Sequence, residues 1–273
     1  FPEPGEDITF MKNVPFEGIK TGLKDLDYML GGGLRKGGLY VLAGRPSMGK
    51  TSFAVTLLLN QIEQETKCVY FCLEMFAQQL IKHMIQSDSK GADIQGEYSR
   101  DELERIIASG QKIESANLII DDTPPLPDEK LITTKIQAYH DADLIIIDYW
   151  QLMGGESLKL EDDSWGVMRR LKEFAKDHHV AILLLSQLSK AAEYRDREGH
   201  RPVLRDLSPW AFDIDNVDVV MLLYREGYYY DTSPKKDVAE IIIDRNRYGR
   251  QGSLELKWDS DHGRFDDMIN ECR

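Results

Sequence analysis

The sequence predicts an α/β fold, a mostly parallel twisted sheet with helices on both faces, and three observations carry that expectation. Leu39–Ala43, Leu144–Ile147 and Val180–Leu185 are apolar without a polar break, as strands are when both faces of a sheet are covered. Segments with helical spacing of apolar residues lie between the runs, and strands alternating with helices build a parallel sheet. The third observation is the turn Gly44-Arg45-Pro46-Ser47-Met48-Gly49-Lys50-Thr51. It fits G-x-x-x-x-G-K-[ST] and stands between a strand and a helix, the context that gives the pattern its mechanical meaning.

In order along the chain, residues 1–15 are acidic and broken by Pro and Gly, and read as a linker. From residue 16 to 273 a single domain is the better count. Leu23, Leu26, Tyr28, Met29 and Leu30 form a short amphipathic helix that Gly31-Gly32-Gly33 stops. The strand 39–43 and the glycine turn follow, then a helix from Lys50 to about Gln64. Lys67–Leu73 is a second buried strand ending at Glu74. Residues 76–88 and 99–114 read as helices, the latter with apolar spacing at Leu103, Ile106, Ile107 and Ile113. Leu118–Ile120 is a short strand, 128–140 a helix, 144–148 a strand, 163–177 a charged amphipathic helix and 180–185 another strand. Residues 188–216 are polar and carry Pro202 and Pro209; a stretch of that length in a compact domain is usually functional. Val219–Tyr224 and Ala239–Ile243 are late strands, and Gly252–Trp258 closes the fold.

Composition narrows the classes. With 34 Lys and Arg against 47 Asp and Glu the net charge is −13, which argues against a protein that coats nucleic acid over its whole surface. A local basic channel within an assembly remains compatible. No apolar run approaches 18 residues, so a membrane span is not expected. Cys68, Cys72 and Cys272 make neither a disulfide framework nor a zinc site, which fits a cytoplasmic setting; Cys68 and Cys72 fall on one face of one strand, as small core residues.

The candidate chemistry centres on the glycine turn. Backbone N–H groups curled inward there would cradle a phosphate, helped by the positive end of the helix that follows. Lys50 would place charge on the β- and γ-phosphates, and the Thr51 hydroxyl would hold Mg²⁺. Asp148, at the tip of a buried strand, is where a second Mg²⁺ ligand is needed. The residue after it is Tyr149, so a base for water must come from elsewhere, and Glu74 is the candidate because strand tips in open α/β sheets meet at one edge. Gln187 would donate to a γ-phosphate oxygen and accept from water, reporting whether that phosphate is present; the bland reading is a polar strand end. Arg245 and Arg247, two apart in extended chain, point the same way. In a monomer they form a solvated basic turn; in a ring they would reach a neighbour's ATP and neutralise charge in the transition state. Lys190, Arg195, Arg197, Arg201 and Arg205 outnumber Glu193, Asp196 and Glu198, as a loop facing a phosphodiester backbone would, or as an ordinary solvated loop. Tyr228-Tyr229-Tyr230 reads as packing at a turn, and His178-His179 as a helix end.

With these motifs in order, the chain resembles the C-terminal ATPase domain of DnaB-family replicative helicases, a branch of the RecA-like P-loop ATPases. The matching segments are Thr21–Asp27, Arg45–Thr51, Leu73-Glu74-Met75, Asp121–Pro124, Ile147–Leu152, Leu185–Ser189 and Glu240–Ile243. The resemblance implies a homohexameric ring with ATP and Mg²⁺ at subunit interfaces and single-stranded DNA in the central channel. It supports Glu74 as base, Asp148 as metal residue and Gln187 as sensor, and puts Arg245 and Arg247 where the family's basic pair reaches the adjoining nucleotide. The family usually has Lys at the first of these. Its N-terminal domain, which organises the ring and meets primase and a helicase loader, is not expected within these residues. After Asp206-Leu207 the family usually reads Arg-Glu-Ser-Gly, a loop that touches DNA; here the residues are Ser208-Pro209-Trp210-Ala211. DNA would then be held by neighbours such as Lys190, Arg195 or Arg205, or by stacking on Trp210, or gripped weakly. The expected function is an ATP-driven DNA helicase motor. Its rivals are a RecA-like recombination or repair ATPase without processive unwinding, and an ATP-switched assembly or loading module.

Overall fold

The computed structural model describes residues 18–90, 98–123, 130–149, 161–190, 200–207 and 214–268. Nine strands form one sheet. In chain order they are β3 (Leu39–Gly44), β4 (Cys68–Cys72), β5 (Leu118–Asp121), β6 (Leu144–Asp148), β7 (Ala181–Gln187), β8 (Val219–Tyr224), β9 (Val238–Asn246), β10 (Gly252–Asp259) and β11 (Arg264–Asp267). A separate ribbon pairs β1 (Gly18–Ile19) with β2 (Leu34–Arg35). The strand order is β11-β10-β9-β8-β3-β7-β6-β4-β5. From β8 to β5 every pairing is parallel, whereas β9, β10 and β11 are antiparallel.

Alternation within the central strands feeds two cores. Tyr40 and Leu42 of β3 point to one face; Leu39, Val41 and Ala43 point to the other. The first face is covered by α1 (Lys24–Met29), α2 (Lys50–Ile62) and α3 (Ala77–Asp88), through Leu26, Phe53, Leu57, Leu80 and Met84. The second is covered by α5 (Lys130–Gln137) and α6 (Glu161–His178), through Ile136, Met168, Leu171 and Phe174. Strands buried on both sides have no solvent face to mark with polar residues, which is why the runs are uninterrupted. Cys68 and Cys72 are buried on the first face, as their spacing predicts.

Two expectations are refined by the structure and two, the end of the 239–243 strand and the closing element, need correction. In α4 (Arg100–Glu114) Ile113 is buried but Leu103 and Ile107 are exposed, because this helix packs at the outer end of the sheet, against α3. The strand expected over 239–243 continues to Asn246, so Arg245 lies inside β9 rather than after it. A bulge accommodates this: Val220 faces Arg245 while Met221 faces Ile243, leaving Asp244 as the extra residue. The segment around Tyr228-Tyr229-Tyr230 starts as a short helix, α7 (Glu226–Tyr229), in which Tyr229 stacks on His200 with ring centroids 4.4 Å apart. Lastly, the chain does not end on β10, because β11 pairs with it and returns to the first core.

That return supports the glycine turn. Phe265 of β11 is fully buried, with its ring 5.8 Å from Phe53 of α2 and 4.7 Å from Trp258 of β10. Its N–H donates to Thr56 Oγ1 at 3.1 Å. Phe265→Ala is expected to cost about 3–5 kcal/mol of stability in denaturant titration.

Candidate functional site

Because β3, β4, β6 and β7 are parallel, their C-terminal tips meet at one edge of the sheet. Gly44 lies beside Gln187, and Cys72 beside Asp148. The residues that follow these tips line one cleft of about 380 Å³: Pro46, Ser47, Gly49, Lys50, Thr51, Glu74, Asp148, Gln187 and Trp258. The expected phosphate-loop residues, base, metal residue and sensor are thus brought together.

The turn is shaped from both sides. Gly49 has φ +98°, and a Cβ there would sit 3.0 Å from Phe265 Cζ, so both conformation and space call for glycine. Ser47 adopts φ +62° without being glycine. Its carbonyl accepts a hydrogen bond from Arg225 Nη2 at 2.7 Å, and the Arg225 guanidinium lies 4.4 Å over the Trp258 ring. Met48 is buried in the first core. Arg45 Nη1 donates to the Leu188 carbonyl at 2.7 Å, tying the turn to the segment after β7.

Inside the cleft Lys50 and Asp148 are buried, while Glu74 is exposed at its rim. Lys50 is 9% exposed, and its ammonium donates to the carbonyls of Gly44 at 3.0 Å and Arg45 at 3.2 Å. Burial pulls its pKa down to about 8, while Asp148 and Glu74 push back. Thr51 Oγ1 donates to Asp148 Oδ2 at 2.8 Å, and Tyr70 Oη donates to the same oxygen at 2.7 Å. Asp148 is 2% exposed; burial raises its pKa, opposed by those two hydrogen bonds and by Lys50. The Glu74 carboxyl is also raised, by desolvation and by Asp148, with Lys50 opposing. A carboxylate made more basic, at a solvent-facing strand tip, is a suitable proton acceptor.

Arg245 and Arg247 are elsewhere. β9 runs against β8, so Arg245 is level with the start of that strand, and the Arg247 N–H donates to the Asp218 carbonyl. Asp218 is beside Leu39, five residues before Gly44, which is roughly 16 Å along a strand. The arginines therefore occupy the edge opposite the glycine turn. Both guanidinium groups turn toward 215–218, as expected from their spacing. Arg247 donates to the Asp215 carbonyl at 2.5 Å and sits 3.4 Å from Asp218 Oδ1, and Arg245 is 3.6 Å from Asp215 Oδ1. Arg247 borders a second cleft there with Lys36, Lys172, Lys176 and His179.

This arrangement has known counterparts. The family described as DnaB-like helicase C-terminal domain matches residues 18–267. The chain belongs to that family. Replicative DNA helicase DnaB of Rickettsia prowazekii is 32% identical over 92% of this chain, which spans 58% of that protein's length. A solved DnaB-like replicative helicase, described together with its interactions with primase, superposes with a TM-score of 0.85 at 26% identity, over 97% of this chain and 68% of its own. RadB recombinase, at 17% identity and a TM-score of 0.59 over 91% of this chain and 99% of its own, shares the fold alone. The architecture is that of the RecA-like ATPases.

Within the DnaB-like family frame, the residues considered for DNA divide. Lys190 and Arg205 are exposed and near one another in the chain path, because the Ser189 N–H donates to the Asp206 carbonyl. They follow β7, at the same edge as the glycine turn. Arg195 and Trp210 lie outside the described residues, as does all of 208–211. Arg201 is held by Glu240 through two hydrogen bonds, so it adds no free charge to a basic surface. Sequence reasoning missed Arg225 and Trp258 beside the cleft, and Tyr70 beneath it. The one available signal was position: Arg225 follows the buried strand β8, whose tip lies at the same edge.

Proposed function

We propose that this chain is the ATP-hydrolysing motor domain of a replicative DNA helicase, working as a ring of six copies on single-stranded DNA. One observation carries the reading. The phosphate loop, Glu74, Asp148 and Gln187 share one edge of the sheet, while Arg245 and Arg247 stand at the other. A site divided in this way is completed only when the far edge of another copy meets the loop. The family match supports the same arrangement.

The roles follow from the chemistry of each group. Residues Gly44 to Thr51 would bind the triphosphate through backbone N–H groups and the start of α2. Lys50 would leave its two carbonyl partners for the phosphate oxygens. The Thr51–Asp148 pair fits a divalent cation: a hydroxyl oxygen with free lone pairs stands next to a buried carboxylate, beside a cleft that would hold the phosphates. Mg²⁺ bound there would neutralise phosphate charge. Glu74 would accept the proton of the attacking water, and Gln187 would sense the terminal phosphate. Arg247, and behind it Arg245, would stabilise charge developing on the neighbour's phosphates. The stacked Arg225 and Trp258 flank the loop where a base would rest. Lys190 and Arg205 would meet the DNA backbone, with Arg195 and Trp210 as further candidates; the Arg45–Leu188 bond links that segment to the loop. A cytoplasmic setting is proposed together with the helicase role; among the described residues no helix is long and apolar enough to cross a membrane. Primase and a helicase loader are proposed as partners; the solved DnaB-like helicase that superposes on this chain is described with its interactions with primase.

The test is strand displacement on a forked duplex, with Glu74→Gln as control. The wild-type protein is expected to displace the strand with ATP and to hydrolyse ATP faster when single-stranded DNA is added. Glu74→Gln should bind nucleotide normally but turn over about 10²–10⁴-fold more slowly and displace nothing. A hexameric preparation that neither unwinds nor responds to DNA would refute the helicase reading.

A further inference from the structure

The least expected feature of the cleft lies under it. Tyr70 is in the middle of β4, an apolar strand, and is fully buried. The register puts Tyr70 opposite Ile146 and Cys72 opposite Asp148, so Tyr70 and Asp148 are diagonal neighbours on one sheet face. That separation is within reach of an aromatic side chain. A buried phenol must find an acceptor, and the acceptor here is Asp148 Oδ2 at 2.7 Å. The phenol carries a proton and the carboxylate has none to give, so Tyr70 is the donor.

Oδ2 thus receives two hydroxyl protons, one from the loop helix through Thr51 and one from the sheet through Tyr70. Oδ1 has no hydrogen-bond partner among the described residues, and Asp148 lines the cleft. The terminal torsion of an aspartate is soft. Held by Thr51 alone, the carboxylate would be free to turn about it, and Thr51 would itself be shared with the cation proposed for this site. Tyr70 has no such second duty, and its ring is packed in the first core.

We infer that Tyr70 is a positioning residue for the cation site: by clamping Asp148 Oδ2 it presents Oδ1 to the hydration shell of the nucleotide-bound divalent ion. This rests on the proposed metal role of Asp148 and Thr51. Partners of this kind behind a metal-binding group typically change metal affinity by about 10–100-fold when removed.

Tyr70→Phe tests it, since the ring and its packing are kept and only the hydroxyl is lost. Binding of a fluorescent, non-hydrolysable ATP analogue is measured with EDTA and across a Mg²⁺ titration, without reference to turnover. The expected result is unchanged metal-free affinity, within twofold, and a half-saturating Mg²⁺ concentration raised about tenfold. The metal-free arm reports that the phosphate loop is folded. If Mg²⁺ saturation in Tyr70→Phe matches wild type within twofold, or tightens, the clamp is wrong while the metal reading stands. If the metal-free affinity falls as far as the Mg²⁺-dependent one, Tyr70 is a packing residue and the inference fails. If wild-type binding shows no Mg²⁺ dependence, the metal reading fails and the clamp with it.

Discussion

Lys50→Ala is expected to reduce ATP turnover to background, a loss of at least about 10²–10³-fold, the scale for removing one preorganised group that stabilises developing charge. The geometry makes the loss hard to compensate. Lys50 is the cationic residue lining the cleft, and its ammonium is enclosed by the carbonyls of Gly44 and Arg45. Enclosure is also why the variant should fold. A buried ammonium with only neutral oxygens as hydrogen-bond partners is costly, and burial pulls its pKa down to about 8. Alanine removes that cost, so the melting temperature should not fall. Steady-state hydrolysis and a thermal melt on the same preparation check both parts. Substantial turnover in Lys50→Ala would refute the role assigned to Lys50.

Arg247→Ala is expected to lower turnover by about 10³–10⁵-fold, the scale for a charge-stabilising arginine supplied by a neighbouring subunit, while nucleotide binding stays near wild type. The second half follows from distance, since Arg247 is at the opposite edge of its own sheet from the glycine turn. Mixing decides between a neighbour's contribution and a local defect. Rings assembled from Lys50→Ala and Arg247→Ala copies contain seams where the intact loop of one faces the intact Arg247 of the other. Those seams should recover part of the activity that neither variant has alone. Failure to recover, with hexamers verified by sizing, would sink the divided-site reading. Arg245 is more enclosed than Arg247, with 24% of its side chain exposed against 44%, so Arg245→Ala should show the smaller catalytic loss.

Much of this was legible along the chain because of one property of parallel sheets. Strands buried on both faces must be apolar throughout, and strands running the same way end at the same edge. An acidic or amide residue that follows such a run is therefore near the others, and Glu74, Asp148 and Gln187 were found on that ground. The antiparallel half was harder to read. β9 alternates and then carries Asp244, Arg245 and Asn246 inside the strand, where polar residues at the sheet's end look like a turn. The exposed Leu103 and Ile107 kept helical spacing, but spacing does not say whether anything covers the face.

What the order of residues determined alone was the parallel core, the glycine turn and the chemical types at its rim, because each depends on local periodicity and backbone conformation. Tertiary structure decided which groups share an atom and which are kept apart. Tyr70 reads as one more core aromatic until register sets it diagonal to Asp148; Arg225 and Trp258, 33 positions apart, meet only when β10 folds back along the sheet. The separation of Arg247 from the loop likewise arises from the reversal of strand direction at β9, since contact between distant segments depends on pairing and direction that no single segment encodes.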